Sequence, residues 1–415
     1  MIARNWLYAL AFLLVCRPVS AEPQSALSLD EAVRIALDAN DPTVTRFDEQ
    51  AAAFGDRAVA DAQLPDPQLR FNFANWPTDS FDFSQEPMTQ VQMGLRQSFP
   101  RGRTLKYASE QRQAQAKAAR SGGDLQKHQI ILDVRQRWLQ LFFWKGARLS
   151  VQQSYNAIAE LLEVIQVVVS TGRQTSQDVL RAELELSLLE DRLVDIDRQT
   201  ETAAADLARL VGPETASRPL PVKMPLLTAP NDYRMLRDSL VDHPSVRVED
   251  ARIEAQDKGV DIARQQYFPG FSIDAQYGLR SDQRSDFASI GVTLDVPIFT
   301  GKRQDRQVSA AKRDRQAARL DRDAQILELE RRLQQTFADW RRLGERVELY
   351  QKVVVERAAE TSEASINAYQ SGVTDFPELI RARLAELDAE LTLLQLEVQR
   401  GQAAAVLLFL EGERR

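Results

Sequence analysis

Cysteine and histidine are almost missing from this 415-residue sequence, which has one Cys and two His. With only five Met as well, the chain offers no cluster of side chains with metal-ligand spacing. Neither a glycine-rich phosphate loop nor the set of residues needed for a nucleophilic triad is found. The sequence therefore predicts a protein that is not an enzyme and that has no cofactor and no resident metal.

Glycine, proline and long apolar runs are also scarce. There are 17 Gly and 17 Pro, so few breaks interrupt the chain and long elements are expected. Beyond the N-terminal segment, the densest apolar run, Val164 to Val169, is too short for a membrane helix. A membrane-spanning form would have to use strands. The net charge of −7, with Lys and Arg interspersed among Asp and Glu, excludes a nucleic-acid partner.

The first residues have the pattern of a secretory signal peptide. Arg4 is followed by the apolar stretch Leu7–Val15 and by a small-residue cleavage site that ends at Ala21. We predict a signal peptide at 1–21 that is removed on export. An N-terminal anchor helix is one alternative, but the apolar stretch is too short to cross a bilayer. Lipidation of Cys16 is another, although the residue before it is a bulky valine.

The second half of the sequence repeats the first at an offset of about 200 residues. Asp41-Pro42 corresponds to His243-Pro244, and Trp138 corresponds to Trp340. Matching positions keep the same order along both halves. The predicted units are a first repeat at 22–211, a proline-rich linker at 212–230 and a second repeat at 231–415.

Each repeat has the pattern helix, strand, strand, long helix, shorter helix. Apolar residues alternate with polar ones in four segments, as in a sheet that is apolar on one face. These segments predict strands at about 67–77, 88–99, 269–280 and 287–297. Proline ends helices and is tolerated only at the margins of strands, so prolines mark the junctions between the two. The junction prolines are Pro65, Pro67, Pro100, Pro269 and Pro297.

Capping residues mark where the first helices begin. Ser28-Leu29-Asp30-Glu31 is a capping box, and Asp41-Pro42 combines a capping Asp with a Pro at the first helical position. The second helix is expected to run to about Leu64. His243 is predicted to be a helix cap, and His128 a solvated or packed helix residue.

Two long helical hairpins follow the strands, at 103–211 and 302–411, with tips at 170–175 and 370–375. No proline interrupts the first helix of either hairpin, which would span about 100 Å at 1.5 Å per residue. Apolar residues from Ile326 to Val354 recur about every 3.5 residues, the spacing of coiled coils. Gly122-Gly123 is interpreted as a tolerated flaw in the first long helix rather than a kink.

The predicted fold class is mainly α with a small β part, made of duplicated long helical hairpins and four transmembrane β-strands. Four strands cannot close a barrel, and a membrane does not tolerate unpaired strand edges. The chain must therefore oligomerise, and three copies would supply twelve strands around a lumen wide enough for water.

This arrangement resembles the TolC family of outer-membrane efflux proteins. The resemblance rests on the duplicated plan, the junctions Ser98–Arg103 and Val296–Arg303, and the two glycine-containing tips. It implies a homotrimer with a 12-stranded β-barrel in outer-membrane lipid of a Gram-negative bacterium and an α-helical barrel across the periplasm. The compact length and the basic turns after the junction prolines are most similar to the heavy-metal efflux branch of CzcC-like and CusC-like proteins.

The resemblance also implies a function. The trimer would be the passive exit duct of a tripartite system, fed by a periplasmic adaptor (membrane fusion protein) and an inner-membrane pump of the RND type, with heavy-metal cations as the substrate. A duct for drugs or for type I protein secretion is an alternative. A periplasmic coiled-coil structural protein without a pore is an alternative of another class, but it does not explain four strands bracketed by prolines.

The two hairpin tips carry the candidate site residues. Gly172 and Gly372 suit helix ends that need a left-handed residue, and Thr175 and Asp375 can cap the returning helices. The resemblance implies that these tips form the periplasmic gate and the adaptor-docking surface. Capping and packing alone are the alternative reading of the same residues.

Further tip residues are assigned by the resemblance alone. Asp178 stands at the place of the family's tip carboxylate and Tyr369 at that of its gating tyrosine, so a hydrogen bond between them would help to close the entrance. Glu378 is expected to line or latch the entrance with them. Thr374 and Arg381 stand where the family pattern has a gating Arg and a pore-constricting Asp, which implies a different gate chemistry in this chain.

Overall fold

The computed structural model describes residues 25–170, 176–225, 227–281 and 284–412. The predicted signal peptide with Cys16 lies outside the described residues, as do Gly172 and Thr175 of the first tip. The helices are α1 (Leu29–Asp38), α2 (Pro42–Ala60), α3 (Thr104–Ser170), α4 (Ser176–Val211), α5 (Pro213–Ala216), α6 (Tyr233–Ser239), α7 (Pro244–Gln265), α8 (Gln304–Leu349), α9 (Val355–Gln370) and α10 (Phe376–Glu411). The strands are β1 (Gln68–Ala74), β2 (Gln90–Phe99), β3 (Gly270–Leu279) and β4 (Phe287–Asp295).

Local capping explains where the first helices begin. Ser28 Oγ accepts a hydrogen bond from the Glu31 N–H at 3.2 Å, and Asp41 Oδ1 accepts one from the Thr43 N–H at 2.7 Å. Both predicted helix starts are thereby confirmed. α2 ends at Ala60, short of the predicted Leu64, and the chain leaves the helix through a turn in which the Gln63 N–H donates to Ala60 O at 3.0 Å.

α3 runs the whole length of the helical body. Its 67 residues correspond to about 100 Å. The half near the sheet packs against α2 and α7, and the far half packs against α4 and α10. Within the described parts of the chain, none of the helices is both long and apolar enough to cross a membrane.

A central cluster around Trp138 ties the start of the chain to the helical body. The indole is fully buried, and its Nε1–H donates to the Leu27 carbonyl oxygen at 3.1 Å. Leu207 of α4 and Val398 of α10 belong to the same cluster. The linker also joins here, since Pro219 O accepts the Leu27 N–H at 2.8 Å. Both repeats and the linker therefore share one core.

A second cluster, here called the tip cluster, lies towards the hairpin tips. It contains Ile158 of α3, Ala182 of α4, and Phe376 and Ile380 of α10, all buried. Tyr369 of α9 packs against it. The first hairpin and the second hairpin are thus packed together near their tips.

His243 caps α7, as predicted from its place before Pro244. Its Nδ1 accepts the Ser245 N–H at 3.2 Å, and its Nε2 lies 3.2 Å from the Phe409 carbonyl oxygen. These partners place the ring proton on Nε2. Burial lowers the pKa of His243 to about 4, so the ring is neutral near pH 7 and holds α7 against α10.

The second long helix differs from the prediction at one place. Tyr350–Val354 forms a π-helical turn between α8 and α9, so the predicted unbroken coiled-coil spacing through this stretch is wrong. A π turn inserts an extra residue and rotates the face of the helix that follows. α10 contacts α8 before the π turn and α9 after it, and it contacts the π turn as well.

Gly122 is not a flaw in α3, which corrects the prediction from sequence. The helix passes straight through Gly122 and Gly123, and the ring of Phe47 from α2 lies on them. A Cβ atom at Gly122 would be 2.7 Å from Cε1 of Phe47, and one at Gly123 would be 3.3 Å from its Cβ. The two glycines therefore let α2 approach α3 closely.

We predict that Gly122→Ala lowers the free energy of unfolding by about 1 to 3 kcal/mol, because the new methyl group overlaps the Phe47 ring. At an open helix position the same change stabilises by up to about 1 kcal/mol. Gly55→Ala in α2 is the matched control, since no atom lies within 4 Å of its Cβ position. Unfolding followed by circular dichroism measures both, and an equal stabilisation in both variants would contradict the close approach.

Candidate functional site

The four strands form one antiparallel sheet in the order β1-β2-β3-β4. Its register aligns the apolar residues of all strands on one face. In one row, Leu69 lies opposite Leu95, Leu95 opposite Ala275, and Ala275 opposite Ile290. Ile290 is 83% exposed and Phe71, one row along, is 70% exposed. The sheet thus presents a continuous apolar face to its surroundings.

The opposite face of the sheet is polar. Arg96 forms an ion pair with Asp274 at 3.1 Å and donates to Ser272 Oγ at 3.1 Å. Gln92 accepts a hydrogen bond from Asn72 Nδ2 at 3.1 Å. Arg96 and Asp274 thus pair across neighbouring strands, and the amides of Asn72 and Gln92 bond across strands as well. Such a face is suited to contact with water.

Both outer edges of the sheet lack a partner strand within the described residues. β1 pairs with β2 alone, and β4 pairs with β3 alone. Because neighbouring strands alternate in direction, β1 and β4 run antiparallel to each other. The free edge of β4 in one copy can therefore continue the ladder onto the free edge of β1 in another.

The loops that join the strands contact each other, which sequence reasoning missed. Arg280 donates to the Pro87 carbonyl oxygen, and Arg284 donates to the Glu86 carbonyl oxygen at 3.1 Å. Both acceptors are in the β1–β2 loop and both donors in the β3–β4 loop. No spacing rule connects loops so far apart in sequence. The contact locks the two hairpins of the sheet together at the end opposite the helices.

The junction prolines lie at the boundaries of the elements. Pro65 and Pro67 stand between α2 and β1, Pro100 directly follows β2, and Pro269 directly precedes β3. Pro297 lies between β4 and α8. None of them is inside a helix or strand, so each strand keeps its ladder while the chain changes from strand to helix.

The second hairpin tip closes with a Schellman motif. Gly372 has a φ of 71°, its N–H donates to Tyr369 O at 3.0 Å, and the Val373 N–H donates to Ala368 O at 2.9 Å. Asp375 then caps α10, because its Oδ1 accepts the Glu378 N–H at 3.2 Å. The local geometry at Gly372 and Asp375 is the one expected from the sequence.

The remaining candidates at this tip lie on its exposed side. Glu378 forms an ion pair with Arg381 one turn along α10. Thr374 sits in the turn, half-buried, with its N–H directed to Ala368 O at 3.4 Å. Val373 is 81% exposed at the tip. The tip therefore combines an apolar side chain with a neutralised charge pair.

Asp178 and Tyr369 come from different repeats but lie at the same end of the body. Asp178 is in the first turn of α4, next to Val179, which packs on the tip cluster. Tyr369 packs on that cluster as well, and its ring meets Phe376 edge to face with centroids 5.9 Å apart. The hydrogen bond predicted between them stays a prediction.

Metal-ligating side chains do not converge in this structure. Among the residues that the structure describes, no three His, Cys, Asp or Glu side chains are grouped so as to hold a metal ion. His128 Nδ1 lies 2.8 Å from the Asp124 carbonyl oxygen, a bond within the helix. The histidines therefore take part in helix structure and packing.

Residues 235–413 match the family model described as outer membrane efflux protein. No curated protein sequence matches the chain. Among solved structures, a membrane protein from Pseudomonas aeruginosa superposes with a TM-score of 0.80 at 19% identity, over 92% of this chain and 90% of that one. The outer membrane protein VceC from Vibrio cholerae superposes with a TM-score of 0.75 at 18% identity, over 92% of this chain and 96% of VceC. CusC, described as forming a transmembrane channel, superposes with a TM-score of 0.76 at 15% identity, over 94% of this chain and 92% of CusC.

These similarities confirm the predicted fold class, mainly helical with a small antiparallel sheet. The predicted outer-membrane location agrees with the description of the family model that matches residues 235–413, outer membrane efflux protein. The resemblance to TolC-type efflux proteins is supported. CusC superposes about as well as VceC does, so the heavy-metal branch stays a prediction.

Proposed function

We propose that three copies of this outer-membrane protein, which has the fold of efflux channels, form the exit duct of a tripartite efflux system. Each copy gives four strands to a 12-stranded barrel and two hairpins to a periplasmic helical barrel. The duct conducts passively and carries out no catalytic step. A periplasmic adaptor and an inner-membrane pump of the RND type deliver the substrate, for which we propose heavy-metal cations.

The sheet carries this proposal. One face is apolar along all four strands, the other is polar, and both edges are unpaired in the described chain. In a bilayer each unpaired backbone group costs several kcal/mol, so an open four-stranded sheet is not stable there alone. Closure with β4 of one copy against β1 of the next satisfies every edge and keeps the strands antiparallel.

The height of the apolar face fits an outer membrane. β2 from Val91 to Phe99 measures about 26 Å along the strand at 3.3 Å per residue. With the tilt of about 40° common in such barrels this becomes about 20 Å, close to the usual apolar band of about 25 Å. β2 therefore covers most of this band, and the shorter β1 covers less of it.

The inward face would be wet and electrically balanced. The Arg96–Asp274 pair and the Gln92–Asn72 hydrogen bond lie on it. Paired charges neither trap a cation nor repel an anion strongly, which suits a passive duct whose selectivity lies in the pump.

The tips favour docking of an adaptor. Val373 is exposed at the second tip, and no atom lies within 4 Å of the Cβ position of Gly372. The free space would let a partner helix approach the backbone there. Since the tips lie at the end of the body farthest from the sheet, they would face the inner membrane.

We predict that Phe71→Arg abolishes trimers, because a cation on the lipid-facing side near mid-membrane costs about 2 to 4 kcal/mol in each copy. Asn72→Arg is the matched control: it is the adjacent residue on β1 and faces the lumen. It should leave trimers intact and change single-channel conductance in planar bilayers. Trimers are measured by size exclusion in detergent.

The pore-free coiled-coil alternative gives the opposite result. Phe71→Arg and Asn72→Arg would then behave alike, the wild-type protein would wash off membranes in high salt, and no conductance would be recorded. That combination would reject the channel.

For the entrance, we propose that Asp178 and Tyr369 form a latch between the two hairpins. Asp178→Ala combined with Tyr369→Phe should raise the conductance of the reconstituted trimer severalfold, because a link that holds the hairpins together is lost. The control is Asp191→Ala with Tyr350→Phe, on the same hairpins but farther from the tips, and it should leave conductance unchanged. Equal conductance in both double variants would remove the latch.

The substrate is tested in cells. A deletion strain should lose resistance to monovalent and divalent heavy-metal cations while its resistance to a panel of hydrophobic drugs is unchanged, and the wild-type gene should restore it. Drug sensitivity without metal sensitivity would assign the duct to drugs, and loss of a secreted protein would assign it to type I secretion. Either result would overturn the heavy-metal proposal and leave the channel itself in place.

A further inference from the structure

A groove lies where the sheet meets the helices, on the side of the apolar face. We call it the junction groove. Its volume is about 770 Å³, and it is open to the outside of the chain. Its apolar walls are Leu64, Phe99, Leu105 and Phe271, and its charged walls are Arg103, Lys106 and Glu110.

The junction groove continues the apolar face of the sheet. Phe99 lies opposite Phe271 in the strand register, in the last row before the helices, and their rings stack with centroids 4.7 Å apart. Both rings line the groove as well. A hydrocarbon chain lying along the apolar face would therefore lead into the groove without crossing a polar barrier.

The charged end of the groove favours an anion. Arg103 and Lys106 are exposed, and the one carboxylate, Glu110, is already held by Lys258 of α7 at 2.7 Å. Lys106 lies farther from Glu110, at 3.7 Å. Two cations, Arg103 and Lys106, thus line the groove at the level where the apolar surface ends, and the carboxylate that lines it is already paired with Lys258.

We propose that the junction groove binds an anionic phospholipid of the inner leaflet of the outer membrane. This inference rests on the proposed barrel, which places the apolar face in lipid. One acyl chain lies on the Phe99–Phe271 pair, and the phosphate is held by Arg103 and Lys106. The lipid seals the junction between barrel and helices, where the chain turns from strand to helix at Pro100.

A neighbouring copy is the competing occupant. After β4, Phe299 is 89% exposed, and in a closed barrel this segment would lie beside β1 and α2 of the next copy. Insertion of Phe299 next to Leu64 would fill the groove with protein. The experiment must therefore separate lipid from a second chain.

The test measures lipid retained by the purified trimer. Full-length protein is reconstituted in vesicles of phosphatidylethanolamine with phosphatidylglycerol as the only anionic lipid, and bound lipid is measured by native mass spectrometry. At about 1 kcal/mol per cation near a membrane surface, Arg103→Gln with Lys106→Gln should reduce the preference for phosphatidylglycerol about 30-fold. Both side chains are exposed, so trimers should form normally.

The control double variant is Lys117→Gln with Arg120→Gln, which removes the same charge about 20 Å farther down α3. This control should retain the full preference for phosphatidylglycerol. Soluble glycerol phosphate should not displace the lipid, because it has no acyl chain to place on Phe99 and Phe271. Displacement by it would show a simple phosphate site and overturn the proposal.

Two further results would overturn it. One is an unchanged lipid preference in the Arg103/Lys106 variant, or an equal loss in the control. The other is quantitative cross-linking of Leu64→Cys to Phe299→Cys between copies in intact trimers, which would show that protein fills the groove. Conductance of the same variants in phosphatidylcholine bilayers tests the channel separately, since a trimer that conducts without selective lipid retention rejects only the lipid site.

Discussion

The unpaired edges of the four-stranded sheet are the constraint on which the rest of this protein depends. A sheet with one apolar face must bury that face, and its two outer edges leave backbone groups that lipid cannot satisfy. A single chain could resolve this by covering the sheet with helices. Here the helices begin beyond the junction prolines and extend away from the sheet, so the apolar face stays exposed. In the proposed trimer, the neighbouring copies complete the structure.

The helical body is organised around one element that reaches from the sheet to the tips. α3 contacts α2 and α7 near the sheet and α4 and α10 farther away. Elements of both repeats therefore pack on this one helix, which reaches from the sheet to the tips. The part of the body nearer the sheet is held by close contacts, such as Phe47 on Gly122 and the His243 cap against Phe409. Towards the tips, the two hairpins pack together through the tip cluster.

Features encoded by local spacing could be predicted from the sequence. Alternation of apolar and polar residues located four strands, prolines located their ends, and Ser28, Asp41 and Asp375 marked helix starts through bonds to residues two or three positions away. These are short-range interactions, so the pattern and the structure coincide. The π turn at Tyr350–Val354 could not be predicted, because α and π turns share the same residue types and the apolar spacing does not separate them.

By itself, the sequence determined the duplicated plan, the sheet with one apolar face and the long hairpins, because each of these depends on residue type and spacing. The tertiary structure decided which distant residues meet. It placed Phe47 on Gly122, joined the strand loops through Arg280 and Arg284, brought Asp178 and Tyr369 to one end, and opened the junction groove beside Phe99 and Phe271. Such contacts depend on how helices and strands are positioned in space, which periodicity does not specify.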